Sequence, residues 1–276
     1  MLHNWKLRLK TATSFLNFLW NSKNQHGVHS PFVFDLVTKC FYDKKKYPEY
    51  SILKNYRNSL LENKNTIEVT DFGAGSRVFK SNTRAINQIA KNAGISSKRA
   101  ALLFRIVNYF QPENILEIGT SLGLATSAIS LGLETKTNRA KLNKNAKVVT
   151  LEGCPNTMAI AKNQCQLQNL NNIEFVNTEF SSYLHNCQLN TEHCQLIYFD
   201  GNHSKKATLD YFELLLPSIT NDSVWIFDDI HWSKEMEEAW EIIKNHPKVT
   251  VNIDTFQWGI VFFRSEQVKE HFVIRT

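Results

Sequence analysis

From residue 96 onward, short apolar runs alternate with longer segments of helical period. The runs at 115–118, 148–152, 173–176, 196–199 and 224–227 read as strands. Between them, 125–133, 156–167, 205–215 and 235–245 repeat their apolar residues every three or four positions and read as helices. Ahead of the first strand, Ser96 or Ser97 can cap a helix that buries Ala100, Leu103, Ile106, Val107 and Phe110, and Pro112 ends it. This alternation predicts a parallel sheet with helices on both faces. The last two runs, 249–254 and 260–264, are separated only by a short turn and predict an antiparallel hairpin at one edge.

Residues 1–95 have a different texture. Trp5 to Trp20 suits an amphipathic helix, His26 to Pro31 a turn, and 32–41 and 50–62 two further helices. The chain therefore divides into a mainly helical N-terminal extension, 1–95, and an α/β domain, 96–276. Trp5, Phe15, Phe18, Trp20, Phe32 and Phe34 make the extension too apolar for a free tail, so it should pack on that domain as a cap.

Composition narrows the class. The chain has 276 residues, 42% hydrophobic and 21% charged, as in an ordinary globular protein. No apolar run is long enough for a membrane span, and the basic, interrupted N-terminus does not read as a signal peptide. The five cysteines show neither metal spacing nor a disulfide framework, which points to the cytoplasm. The net charge of +6 is scattered, so no nucleic-acid partner is expected.

The strongest local signal is Ile115-Leu116-Glu117-Ile118-Gly119-Thr120-Ser121-Leu122-Gly123, a strand running into a glycine turn and then a helix. Such a turn lets backbone approach a ligand at a helix N-terminus. The spacing lacks the third glycine of a dinucleotide fingerprint. Gly119-Thr120-Ser121-Leu122-Gly123 also matches the elbow of a serine hydrolase with Ser121 as nucleophile. That alternative leaves the acids at later strand ends unused. A second glycine segment, Asp71-Phe72-Gly73-Ala74-Gly75-Ser76, is followed by no strand ending in an acid and reads as a structural turn, from which Asp71, Ser76 or Arg77 could reach the active site.

Glu117, Glu152, Asp200 and Asp228 stand at equivalent strand ends. The second of these, Glu152, suits a ribose diol, because one carboxylate can accept two hydroxyl hydrogen bonds. Thr178 and Glu179, with Phe180 as an apolar wall, suit an adenine edge. Ribose, adenine and an amino acid tail together describe S-adenosyl-L-methionine; Glu117 or Gly119 would sit near the tail, with Ser121 and Gly123 in the same cofactor-binding turn. The fourth and fifth strands end in Asp200-Gly201-Asn202-His203 and Asp228-Asp229-Ile230-His231-Trp232. Three hard carboxylates there can hold Mg²⁺, or they can shape the pocket through hydrogen bonds alone, and His203 can take a proton.

Taken together, these motifs resemble those of class I S-adenosylmethionine-dependent methyltransferases, most closely the branch of catechol and caffeoyl-CoA O-methyltransferases, over residues 96–264. The whole chain also resembles a methyltransferase group found in Bacteroidetes-type genomes. The resemblance implies a Rossmann-like, doubly wound α/β fold with a mostly parallel seven-stranded sheet whose last strand is antiparallel. It implies cofactor contacts at Glu117, Gly119 and Glu152, and metal ligation at Asp200, Asp228 and Asp229. A lysine three residues after the first of these aspartates is His203 here. Asp200, His203 and Asp228 are the expected catalytic group, acting on the oxygen of a small-molecule acceptor. A non-catalytic interaction module with the same fold is the remaining alternative, and a homodimer is the assembly to test.

Overall fold

A computed structural model describes residues 2–70, 72, 79, 81–134, 146–187 and 194–276, with side chains from 12 onward except at 187. The chain begins with α1 (Leu2–Asn21), α2 (Pro31–Leu36), a π-helical turn (Val37–Phe41) and α3 (Glu49–Glu62). A short hairpin follows, β1 (Thr66–Glu68) and β2 (Thr83–Ala85), and then α4 (Ile86–Asn92) and α5 (Ser97–Phe110). The alternating part runs β3 (Asn114–Ile118), α6 (Leu124–Leu133), β4 (Lys147–Glu152), α7 (Pro155–Leu167), β5 (Ile173–Asn177) and α8 (Phe180–Cys187). It continues with β6 (Leu196–Phe199), α9 (Lys205–Leu215), β7 (Val224–Asp228), α10 (Lys234–Asn245), β8 (Val251–Asp254), β9 (Trp258–Phe262) and β10 (Glu270–Val273).

The main sheet has the order β10-β8-β9-β7-β6-β3-β4-β5. Strands β3 to β7 are mutually parallel, and β9 inserts antiparallel between β7 and β8. The expected seven strands are present with the expected antiparallel hairpin, and β10 adds an eighth, parallel to β8. Its sequence, Glu-His-Phe-Val, carries no apolar run, because an edge strand needs to bury only part of one face.

Successive side chains of the central strands feed two cores. Leu196 and Tyr198, with Val224 and Ile226, pack under α5, α6 and the extension. Ile197 and Phe199, with Trp225 and Phe227, pack under α9 and α10. A strand sandwiched this way is apolar on both faces. Helix α6 is buried along its whole length. It lies so close to α5 that a Cβ at Gly132 would meet the Phe104 carbonyl at 2.8 Å.

The extension shares the first core: Val33, Leu36, Leu53, Tyr56, Leu60 and Ile89 belong to the same buried cluster as Leu103 and Ile129. Tyr56 on α3 donates its hydroxyl to the Leu122 carbonyl, joining the extension to the glycine turn. Helix α1 is tied near its C-terminal end, where Phe18 packs at a tilt against Phe256, and just beyond it the Lys23 N–H bonds the Val273 carbonyl. Among the described residues, no helix is long and apolar enough to cross a membrane.

Candidate active site

The carboxyl ends of β3, β4, β6 and β7 open onto one cavity of about 420 Å³, as expected at a switch point in strand order. Its wall includes Gly119, Ser121, Glu152, Asp200, His203 and Asp228. Gly119 has φ +106°, and a Cβ there would meet the Asp200 carbonyl oxygen at 2.5 Å, so the turns after β3 and β6 can approach only at a glycine. Ser121, Asn202 and Asp229 also line the cavity with φ near +50°. Left-handed backbone at non-glycine residues is costly and clusters at functional sites.

At one end of the cavity Glu152 is held by backbone. The Ser121 N–H donates to Oε2 at 2.7 Å and the Cys154 N–H to Oε1 at 2.8 Å. Thr178, Glu179 and Phe180 line the same cavity, with Phe180 seated against Gly201. The Glu179 carboxylate accepts from the Ser181 and Ser182 hydroxyls at the start of α8. Phe72 lies against Gly153, where a Cβ would come within 2.6 Å of its ring. The segment read as a structural turn thus supplies cavity wall through Phe72, and Val69, Thr70 and Phe79 to either side of it also line the cavity. Asp71, Ser76 and Arg77 lie outside the described residues.

Two residues expected at the cofactor lie behind the wall instead. Glu117 is completely buried. Its Oε2 accepts from Thr126 at 2.5 Å and from Thr150 at 2.6 Å. Since Thr150 spends its proton on Glu117, Thr120 must donate to Thr150 across their 2.5 Å contact. Glu117 is therefore the anchor of a hydroxyl chain that braces the glycine turn from below. Burial pushes its carboxyl up to about 8, against the Thr126 and Thr150 hydrogen bonds. Gly123, at φ +76°, is where α6 starts, and a Cβ there would meet Ala161 at 2.8 Å, so its role is helix packing.

At the other end, the acids after β6 and β7 converge on a cation that the sequence reading missed. Arg99, in the first turn of α5, places Nη2 against Asp228 Oδ1 as a salt bridge. The Asp229 N–H donates to the same oxygen at 2.8 Å, and the Tyr198 hydroxyl donates to Oδ2 at 3.2 Å. The guanidinium also lies 5.2 Å from the Trp258 ring, on the strand residue paired with Asp228. Burial alone would lower the Arg99 pKa, but Asp228, Tyr198, Asp229 and Asp200 together raise it. Burial and the neighbouring Asp228 charge push Asp200 well above the usual carboxylate range. His203 Nε2 stands 3.6 Å from Asp200 Oδ1, and its ring centroid is 6.0 Å from that of Trp232.

This arrangement does not fit the metal expected at Asp200, Asp228 and Asp229. Both oxygens of Asp228 already hold donors, one of them a guanidinium, where Mg²⁺ would require free carboxylate oxygens. Among the described residues, no group of three or more His, Cys, Asp or Glu side chains is arranged to hold a metal ion. His231 turns away from the cavity. It bonds Asp254 at 2.9 Å and stacks on Phe256, the ring that receives α1. Nor does the hydrolase alternative gain a base, since among the described residues no imidazole is hydrogen-bonded to the Ser121 hydroxyl.

With this geometry in place, comparison with known proteins is informative. Residues 116–230 match the family described as "Methyltransferase domain". No curated protein sequence matches the chain. Among solved structures, the S-adenosylhomocysteine-bound methyltransferase of Podospora anserina is 12% identical with a TM-score of 0.58, covering 86% of this chain and 97% of that one. An O-methyltransferase from Streptomyces achromogenes involved in tomaymycin synthesis is 13% identical at 0.55, covering 80% and 92%. An O-methyltransferase from Bacillus cereus is 19% identical at 0.52, also covering 80% and 92%. At these identities the structural likenesses establish the fold. The match to a methyltransferase domain runs from β3 to the acids after β7, the strands whose carboxyl ends line the cavity.

Proposed function

We propose that the protein transfers a methyl group from S-adenosyl-L-methionine to an oxygen nucleophile of a small molecule. The observation that carries this reading is the division of the cavity, with a prearranged carboxylate, Glu152, at one end and an imidazole, His203, beside Asp200 at the other. Backbone N–H groups fix both Glu152 oxygens in the cavity wall, and one carboxylate can accept from both hydroxyls of a ribose diol. Gly119 supplies the close backbone approach that the amino acid tail needs, and Thr178, Glu179 and Phe180 form the adenine edge. The cavity volume suits a small-molecule site.

When bound, the cofactor supplies its sulfonium methyl for in-line displacement by the acceptor oxygen. The chain's own contribution is positioning, the major source of rate in such a reaction. His203 accepts the proton lost from the acceptor hydroxyl. Asp200 orients that imidazole, and Trp232 walls off water. No step is assigned to a metal ion.

Calorimetry with S-adenosylhomocysteine tests the cofactor, and absence of binding would sink the reading. Transfer from methyl-labelled cofactor to a panel of phenols, alcohols and amines tests the acceptor. A methoxy carbon signal supports oxygen; label found only on nitrogen overturns that half of the proposal.

A further inference from the structure

We infer that Arg99 is the resident cation of the acid cluster, occupying the electrostatic place of a divalent metal, so that this methyltransferase turns over without one. The inference rests on the methyl-transfer reading above. Asp228 is only 4% exposed and Arg99 18%, so their pairing is screened little by water. Arg99 comes from α5, whose N-terminal end already carries positive backbone potential. With Ser96 capping the helix through the Arg99 N–H, that end has no acidic residue in its first turn. A partly buried arginine there is unfavourable unless an anion faces it, and Asp228 faces Arg99. Trp258 backs the guanidinium and limits its retreat. A metal entering between Asp200, Asp228 and Asp229 would have to displace the guanidinium or sit beside a like charge.

Arg99 acts through Asp228 and Asp229, which border the acceptor end, and is thus a positioning residue. Through the Asp229 N–H bond to Asp228, the pair also fixes the left-handed turn at Asp229 that leads to Trp232.

The test is a Mn²⁺ titration of the full chain, followed by electron paramagnetic resonance, alongside turnover after exhaustive chelation. The wild type should bind no stoichiometric Mn²⁺ and should lose no activity to chelation. Arg99→Met frees the carboxylates and should bind Mn²⁺ at least tenfold more tightly than wild type, whereas Arg99→Lys keeps a cation and should not. Adding Asp228→Asn to Arg99→Met should abolish the new site. Circular dichroism and S-adenosylhomocysteine binding confirm that each variant is folded. Stoichiometric Mn²⁺ on the wild type, or activity lost on chelation and restored by Mg²⁺, overturns the inference. A folded Arg99→Met that still refuses Mn²⁺ overturns it equally. Should Arg99→Met not fold, the wild-type titration alone decides. Failure to bind S-adenosylhomocysteine would instead strike the methyl-transfer reading.

Discussion

The two ends of the cavity hold their carboxylates by opposite means. Glu152 is held by two backbone N–H groups, one two residues away and one from the adjacent turn across a neighbouring strand. Asp228 is held by a side chain 129 residues earlier, on a helix outside the run of alternating strands. The first arrangement comes with the turn itself: any chain that makes this strand–turn–helix unit delivers the donors. The second depends on one long side chain meeting one acid, and among the described residues no other cation is paired with Asp228.

Breaking the second arrangement should therefore have the larger effect. Arg99→Ala leaves Asp228 buried without its partner, which typically costs about 3–5 kcal/mol. Denaturant unfolding should show that loss, and Arg99→Met combined with Asp228→Asn should recover part of it. A single variant within a few tenths of wild type would mean that the pair contributes nothing, and the contrast between the two ends would collapse.

Beneath the first end, Glu117 offers a pH-dependent test of the brace. Its folded pKa of about 8 lies above the ordinary 4.5, so the folded state holds a proton that the unfolded chain releases. That proton contributes stability below pH 4.5, and the contribution is lost as pH rises towards 8. Across this window the loss is at most about 1.4 kcal/mol per pH unit. Glu117→Gln, which cannot titrate, should have a melting temperature that gains on wild type steadily from pH 5 to 8. Parallel curves would show Glu117 ionised in the folded protein.

How much of this was legible in the sequence follows the same division. The β3, β6 and β7 runs were readable because both faces are buried, and Glu152 was readable because it ends the apolar run of β4. Glu117 was placed at the cofactor because position along a strand says which end a residue is near but not which side of the turn it faces. Arg99 was passed over among the scattered positive charge. A usable signal existed, since a basic residue in a helix's first turn with no acid beside it needs an anion elsewhere. The hairpin of β1 and β2 had no signal at all: Thr-Ile-Glu and Thr-Arg-Ala are too short and polar to mark strands. The reach of the loop between them into the cavity was therefore seen only as an option for its polar residues.

On the Glu152 side, Glu152→Ala should weaken S-adenosylhomocysteine binding by about 1–3 kcal/mol, the usual cost of losing hydrogen bonds to a charged group. Fold stability should change less than in Arg99→Ala, because the two backbone donors freed lie beside an open cavity and can be met by water. Calorimetry reads the first quantity and thermal unfolding the second. An unchanged affinity would remove Glu152 from the ribose site.

The smallest expected effect belongs to Phe72, and it asks whether the extension takes part in the cofactor end. The ring is 56% exposed and yet rests on Gly153, the residue immediately after Glu152. An aromatic ring so exposed gains little from burial in the free protein, so Phe72→Ala should leave the melting temperature without ligand unchanged. A ring beside the carboxylate proposed to hold the ribose is placed to cover a bound nucleoside, and a ring contact of this kind contributes roughly 0.5–1.5 kcal/mol. The variant should therefore lose about that much affinity for S-adenosylhomocysteine and for adenosine alike, with a correspondingly smaller ligand-induced rise in melting temperature. Because Phe72 and Glu152 flank the same glycine, their losses should not add, whereas Phe72→Ala and Arg99→Lys, at opposite ends, should. Equal affinity in wild type and variant would confine the extension to a packing role and leave the cofactor end wholly to the strand-end turns.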